Sequence, residues 1–305
     1  MDIIFSIFNS LPSAIAQGLI WGIMAIGVYI TYKILDIADL TVDGSMCTGA
    51  AVCVMLTING VPLPISMICA VIAGMIAGLV TGIFHTFLGI PAILAGILTQ
   101  LSLYSINLKI MGGANKSLSV RTYNLIASPL HIKTINPFWQ NTMFVVAIFV
   151  IVLIAFLYWF FGTSYGCSIR ATGSNPNMSR AQGINTDFNK VVGLMLSNGI
   201  VALSGALLAQ FQGASDINMA RGAIVIGLAA VIIGNAVFGK IFKNFALKLL
   251  AVAIGGVIYF VVYTAVIRAG FDTDLLKLLS AIVVAISLGT PYLKSKYFTK
   301  PKRGG

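Results

Sequence analysis

Apolar runs of membrane-crossing length dominate this chain, and the polar residues between them are few and clustered. A helix needs about 20 apolar residues to cross the hydrocarbon core of a bilayer. Nine segments reach or approach that length and predict helices over 11–32, 44–58, 62–84, 90–108, 138–161, 189–211, 220–238, 245–268 and 273–290. The second and seventh are short and contain glycine. The fourth opens at Gly89-Ile90-Pro91, where proline suits a first helical turn. The expectation is an all-α, polytopic transmembrane bundle of about nine spans (range 8–10), a single domain over 1–305.

Small residues recur at helical spacing. Gly74, Gly78 and Gly82 form one stripe, and Gly18 and Gly22 begin another. Glycines four apart let helix backbones approach closely, so both stripes predict packing faces. Two longer stretches also correspond. Asp36-Ile37-Ala38-Asp39-Leu40-Thr41-Val42-Asp43 precedes one short helix, and Gly213-Ala214-Ser215-Asp216-Ile217-Asn218 precedes the other. Each is a long helix, an Asp-bearing break and a short helix. That is the arrangement of an inverted repeat, with a substrate path between the repeats near the broken helices. The layout is repeat 1 over about 11–108, an external loop over 109–137, a cytoplasmic loop over 162–188, repeat 2 over about 189–290 and a cytoplasmic tail over 291–305.

Composition agrees with the pattern. Charged residues make up 9% of the 305, and all eight acidic side chains are Asp, with no Glu. Soluble domains carry about 25% charged residues. The net charge of +11 reads as cytoplasmic Lys and Arg under the positive-inside rule rather than as a nucleic-acid footprint. With 162–188 and the C-terminal tail inside, 12 of the 19 basic residues lie inside and 7 outside. Nine spans then place the N-terminus outside. The opening Met1-Asp2-Ile3-Ile4 has no basic region, so no cleaved signal peptide is read. Cys47, Cys53, Cys69 and Cys167 show no C-x-x-C spacing and read as small buried thiols.

The longest internal polar stretch runs from Gly162 to Ile184. Asn175 can cap a helix, Pro176 suits its first position, and Gly183 suits the left-handed residue that ends one. The result is a helix of about two turns, with Met178 and Ala181 on one face. Two readings stand here. One is a rigid element that inserts into a groove on another protein. The other is an ordinary loop held at lipid headgroups by Arg170 and Arg180.

The same stretch resembles the cytoplasmic coupling loop of ATP-binding-cassette importer permeases of the branched-chain amino acid and ribose type. The resemblance rests on Gly166, Arg170, Ala171, Gly173, Asn175, Arg180, Gly183 and Ile184. The run from Ile34-Leu35-Asp36 to Leu40-Thr41-Val42-Asp43-Gly44-Ser45 looks closest to the subgroup associated with tryptophan or tyrosine uptake. Gly89-Ile90-Pro91-Ala92 through Thr99 resembles the opening of the family's fourth conserved helix. The resemblance covers roughly 15–290.

It implies half of a channel in a bacterial cell membrane, paired with a second permease copy, identical or related. Cytoplasmic ATPase subunits would dock on Gly166, Arg170, Gly173, Asn175, Pro176, Met178, Ser179, Arg180 and Gly183. An external binding protein would deliver the substrate, a small solute of amino-acid type with aromatic amino acids among the candidates. ATP and magnesium would sit on the partner ATPase, with no cofactor on this chain.

The missing motifs fit that reading. No G-x-x-x-x-G-K-[ST] phosphate loop, H-E-x-x-H or G-x-S-x-G occurs, and His85 and His131 read as structural. An integral membrane enzyme therefore has no catalytic constellation to build on. Polar residues inside the membrane are costly and mark candidate paths. They are Asp39, Thr41, Asp43, Ser45, Gln100, Asn107, Asn198, Gln210, Asp216 and Asn218, with Asp43 also a candidate cap for the helix it opens. The competing transport reading is a secondary transporter driven by an ion gradient, with Asp39, Asp43 or Asp216 carrying the ion. A docking helix is needed only in the first.

Overall fold

The computed structural model describes residues 2–123, 125–128, 130, 141–239, 241–268 and the isolated positions 278, 281, 282 and 285, with side chains from residue 10 onward. Helix α1 (Asp2–Tyr29) runs into a π-helical turn, Ile30–Ile34. It is followed by α2 (Val42–Ile58), α3 (Leu63–Thr86), α4 (Ala92–Met111), strand β1 (Asn115–Ser117) and α5 (Thr142–Gly162). Then come α6 (Ser164–Ser174), α7 (Pro176–Ala181), α8 (Thr186–Gln212), β2 (Ala214–Asp216), α9 (Ala223–Phe238) and α10 (Phe245–Arg268).

Glycine decides the packing. Helix α8 runs through the middle, against α1, α2 and α3. A Cβ at Gly74, Gly78 or Gly82 would strike the α8 backbone or side chains at Asn198, Leu194 and Val191 respectively. Gly18 and Gly22 meet α10 at Val257 and Ala253 in the same way. Both predicted stripes are therefore contact faces. Between helices, hydroxyl groups reach carbonyls of neighbouring backbones: Ser197 donates to the carbonyl of Gly27 at 2.8 Å and Ser204 to that of Ile20 at 2.7 Å.

The outer helices show the opposite pattern. Ile68, Ile72 and Ile76 of α3, Leu94, Leu98 and Leu101 of α4, and Ile148, Ile151 and Val152 of α5 are all exposed. Contiguous apolar faces of this kind would drive aggregation in water. They suit hydrocarbon.

Among the described residues, six helices are long and apolar enough to cross a membrane: Ser10–Ile34, Leu63–Thr86, Ala92–Met111, Thr142–Gly162, Thr186–Gln212 and Phe245–Arg268. The segments expected at 44–58 and 220–238 form the shorter apolar helices α2 and α9, of 17 and 16 residues. The ninth expected span, 273–290, and the tail, 291–305, lie outside the described residues, save the isolated positions.

The all-α expectation needs one amendment. Strand β1, from the predicted 109–137 loop, pairs antiparallel with β2 in the second polar break, with Asn115 opposite Asp216 and Ser117 opposite Ala214. Three residues of Asn-Lys-Ser carry no strand signal; the partner strand provides it. A second addition is α6, where glycines at 166 and 173 gave the look of a loop. Gly173 instead lets α6 press on the carbonyl of Ile34 in the π turn. Of the cysteines, Cys47 and Cys53 are buried, but Cys167 is exposed on α6.

Candidate functional site

The first break carries a fully buried polar network. After the π turn, Asp36 takes a left-handed conformation (φ 55°), rare for a residue with a Cβ, and turns the chain inward. Asp39 follows, buried, with its carboxylate accepting from the Thr41 backbone N–H at 2.9 Å and from Asn198 Nδ2 at 2.7 Å. Asn198 Oδ1 accepts from Ser45 Oγ at 2.5 Å. The Thr41 hydroxyl meets that of Thr81 at 2.7 Å, which donates to Thr99 at 2.9 Å. Four of the predicted path residues, Asp39, Thr41, Ser45 and Asn198, thus form one lock among the first break, α2 and α8, and Thr81 and Thr99 extend it to α3 and α4. They are satisfied internally.

The second break meets the first through Asp43. Its carboxylate accepts the backbone N–H groups of Gly222 at 2.8 Å and Ile224 at 3.1 Å. Asp43 also lies in the first turn of α2. The expected cap of its own helix is therefore a cap on α9, while Thr41 precedes α2 without a side-chain cap bond. A carboxylate is favoured near the positive end of a helix dipole. One side chain here serves two.

Beside this junction a cleft of about 130 Å³ opens between α2, α4 and the segment leading to α9. Asp43, Gln100, Tyr104, Asn107, Asn218 and Arg221 supply its polar lining, and Cys47, Leu101 and Ile217 are among its apolar residues. Asn107 is 1% exposed, yet neither its amide nitrogen nor its oxygen has a hydrogen-bond partner among the described residues. Buried amides are normally paired, and an orphan calls for an explanation. Four predicted path residues line this cleft: Asp43, Gln100, Asn107 and Asn218.

The remaining two do not reach it. Gln210 accepts from the N–H groups of Ile126 and Ala127 at 3.2 and 3.4 Å, anchoring the loop after β1. Asp216 accepts from the Asn218 N–H at 2.7 Å in a local turn at the end of β2. Tyr104 and Arg221 join the cleft without having been predicted. Tyr104 was legible: Gln100, Tyr104 and Asn107 are spaced four and three apart, on one helix face. Arg221 had no such signal, because its place depends on the fold of the second break.

In the 162–188 loop, Asn175 Oδ1 accepts from the Met178 N–H at 3.1 Å, Pro176 opens α7, and Gly183 sits at φ 81°. This is the capped short helix that the residues predict. Several residues named for docking also make contacts within the protein. Arg180 donates to Thr186 Oγ1 at 2.8 Å and pairs with Asp187 at 3.1 Å, tying α7 to the first turn of α8. Arg170 lies over the Phe245 ring at 5.5 Å. Ser179 is buried. Gly166 fits against the Phe160–Phe161 backbone and Gly173 against the π turn. Asn189 of α8 donates to Ser168 and Thr172 of α6 at 2.7 and 2.9 Å. Exposed around α7 are Asn175, Pro176, Asn177, Met178, Arg180, Ala181, Gln182 and Gly183, with Met178 58% exposed. His85 closes the α3–α4 turn on the carbonyl of Ile90 at 3.0 Å. His131 lies outside the described residues.

A family model described as the permease component of branched-chain amino acid transport systems matches residues 10–288. The chain belongs to that family. It is an integral membrane permease, a transport component. The permease is 41% identical over 286 residues to a protein of Clostridioides difficile named tyrosine transport system permease protein, covering 92% of this chain and 91% of that one. An uncharacterized protein of Rickettsia prowazekii is 36% identical, over 92% of this chain and 98% of its own. The autoinducer 2 import system permease protein LsrC of Escherichia coli is 28% identical, over 72% of this permease and 61% of its own length. In three dimensions the permease is similar to PsaBC from Streptococcus pneumoniae, solved in complex with a Fab, with a TM-score of 0.56, 17% identity and coverage of 96% and 99%. That likeness is one of fold.

Proposed function

We propose that this permease forms half of the membrane pathway of an ATP-binding-cassette importer for an amino acid, with aromatic amino acids foremost. The observation that carries the proposal is α7: a capped helix tied to α8 by Arg180, whose exposed tip includes Pro176, Asn177 and Met178. A six-residue helix has little stability of its own, so its cap and clamp make sense for an element that transmits force. The aromatic substrate draws its support from the tyrosine permease relative, at 41% identity.

In this reading two copies of the permease enclose the path, and an external binding protein delivers the solute. Cytoplasmic ATPase subunits, holding ATP and magnesium, press on α7. The N-terminus lies outside the bacterial cell membrane and the C-terminus in the cytoplasm. The two halves are an inverted repeat, and the Asp43 contact with the start of α9 is where its breaks meet. Force on α7 passes to α8 through Arg180. Through α6 it reaches the π turn, which Gly173 touches, and so the first break.

The test is co-purification of the permease with a cytoplasmic ATPase, and uptake of radiolabelled tyrosine by cells carrying the complete system. Met178→Asp is expected to leave the chain in the membrane and to abolish both the association and the uptake. Uptake that persists in cells lacking every candidate ATPase, but collapses with a protonophore, points to the ion-gradient reading instead.

A further inference from the structure

We propose that the cleft at the Asp43 junction is a binding site of the permease itself for the head group of an α-amino acid, the adjacent ammonium and carboxylate. The inference rests on the amino-acid reading above and adds a site that reads the substrate inside the membrane.

The lining carries both charges that a zwitterion needs. Arg221 offers a guanidinium, which is exposed and suits a carboxylate in two parallel hydrogen bonds. Asp43 offers the opposite charge. A carboxylate has about four lone-pair positions, and the N–H groups of Gly222 and Ile224 occupy two. The Ala223 N–H also bears on this carboxylate, and the capacity that remains is open to an ammonium.

Asn107 lies between in character. Its Nδ2 can donate to a carboxylate and its Oδ1 can accept from an ammonium, and both are buried with no partner among the described residues. An amide in that state is costly to the fold unless something completes it. A ligand carrying both an acceptor and a donor does so.

Size sets the limit of what is read. Pockets that enclose a whole drug-sized ligand measure about 300–1,000 Å³, and this cleft is about 130 Å³. It takes the head group and leaves the side chain outside; Tyr104, 46% exposed, is the lining's one aromatic residue. The site therefore recognises α-amino acids as a class, with little discrimination among side chains.

The experiment is equilibrium binding of radiolabelled L-tyrosine to the purified full-length permease, with three unlabelled competitors. L-Leucine is expected to compete within a few-fold of tyrosine. Tyramine, which lacks the carboxylate, and 3-(4-hydroxyphenyl)propanoate, which lacks the ammonium, are expected to compete at least 10-fold more weakly. Asn107→Leu is expected to weaken tyrosine binding at least 10-fold while raising the melting temperature of the ligand-free protein. A purely structural amide would not give that opposed pair of changes. Arg221→Gln, at an exposed position, is expected to weaken tyrosine binding several-fold while leaving tyramine unchanged, which narrows the gap between them.

Absence of saturable binding, or binding that both variants leave unchanged, overturns the site. Preference for tyrosine over leucine by 10-fold or more overturns the head-group reading. Whole-cell uptake separates the two layers. Tyrosine imported by a permease with no cleft binding sinks the site alone. Import of a solute other than an amino acid sinks the amino-acid reading beneath it.

Discussion

At the scale of residues, the membrane interior sorts polar side chains into two kinds, satisfied and waiting. Asn198 is the first kind, holding Asp39 with one end of its amide and Ser45 with the other. Asn198→Ala leaves a buried carboxylate short of a donor. Hydrogen bonds to charged groups contribute about 1.5–3 kcal/mol, so this variant is expected to lower stability by about 2–3 kcal/mol, read as a lower melting temperature in detergent. Asn107 is the second kind. The sequence presents both as an isolated Asn in an apolar helix, and nothing local separates them. The difference lies in the partner: Asp39, 159 positions from Asn198, turns to face it, while Asn107 has no hydrogen-bond partner among the described residues. Candidate polar residues are thus legible from composition, but their roles follow from tertiary contacts.

At the scale of elements, glycine carries most of what the sequence discloses, and also misleads. Spacing of four in α3 read correctly as a packing face, because helix periodicity survives in the letters. Gly78→Leu drives a side chain into the Leu194 backbone. Overpacking costs about 1–3 kcal/mol or more, so this variant is expected to melt earlier and to be depleted from the membrane fraction on quantitative blotting. In α6 the same residue type looked like loop, because Gly166 and Gly173 lie seven apart in a polar stretch and their contacts, one with the turn before the helix and one with the distant π turn, leave no local pattern. The cap of α7 tests the difference between holding and transmitting. Asn175→Ala removes a bond worth about 1 kcal/mol in an exposed loop. It is expected to leave the melting temperature of the permease within a degree or two, while tyrosine uptake by the complete system falls several-fold.

At the scale of the whole molecule, lipid-facing rows on α3, α4 and α5 surround a centre in which both breaks join. Most long helices were legible from length and hydropathy. The ribbon was not, since each strand of β1–β2 has only the other as its reason to exist. Orientation is a global property with a direct check. In a background without the four native cysteines, Ser117→Cys on the ribbon and Met178→Cys on α7 are expected to react with a membrane-impermeant maleimide from opposite sides. Ser117 reacts in intact cells and Met178 only in inverted vesicles. Labelling of both from the same side would rule out the proposed topology. The junction itself has a consequence for how this family varies. Asp43 grips α9 through peptide N–H groups at 222 and 224, so the side chains at those positions take no part in the grip itself. An alignment of relatives should then show an acidic residue held at 43 with no covarying partner. The traces expected on the other side are glycine held at 222, whose φ of 85° suits few other residues, and the exclusion of proline, the one residue with no hydrogen to give.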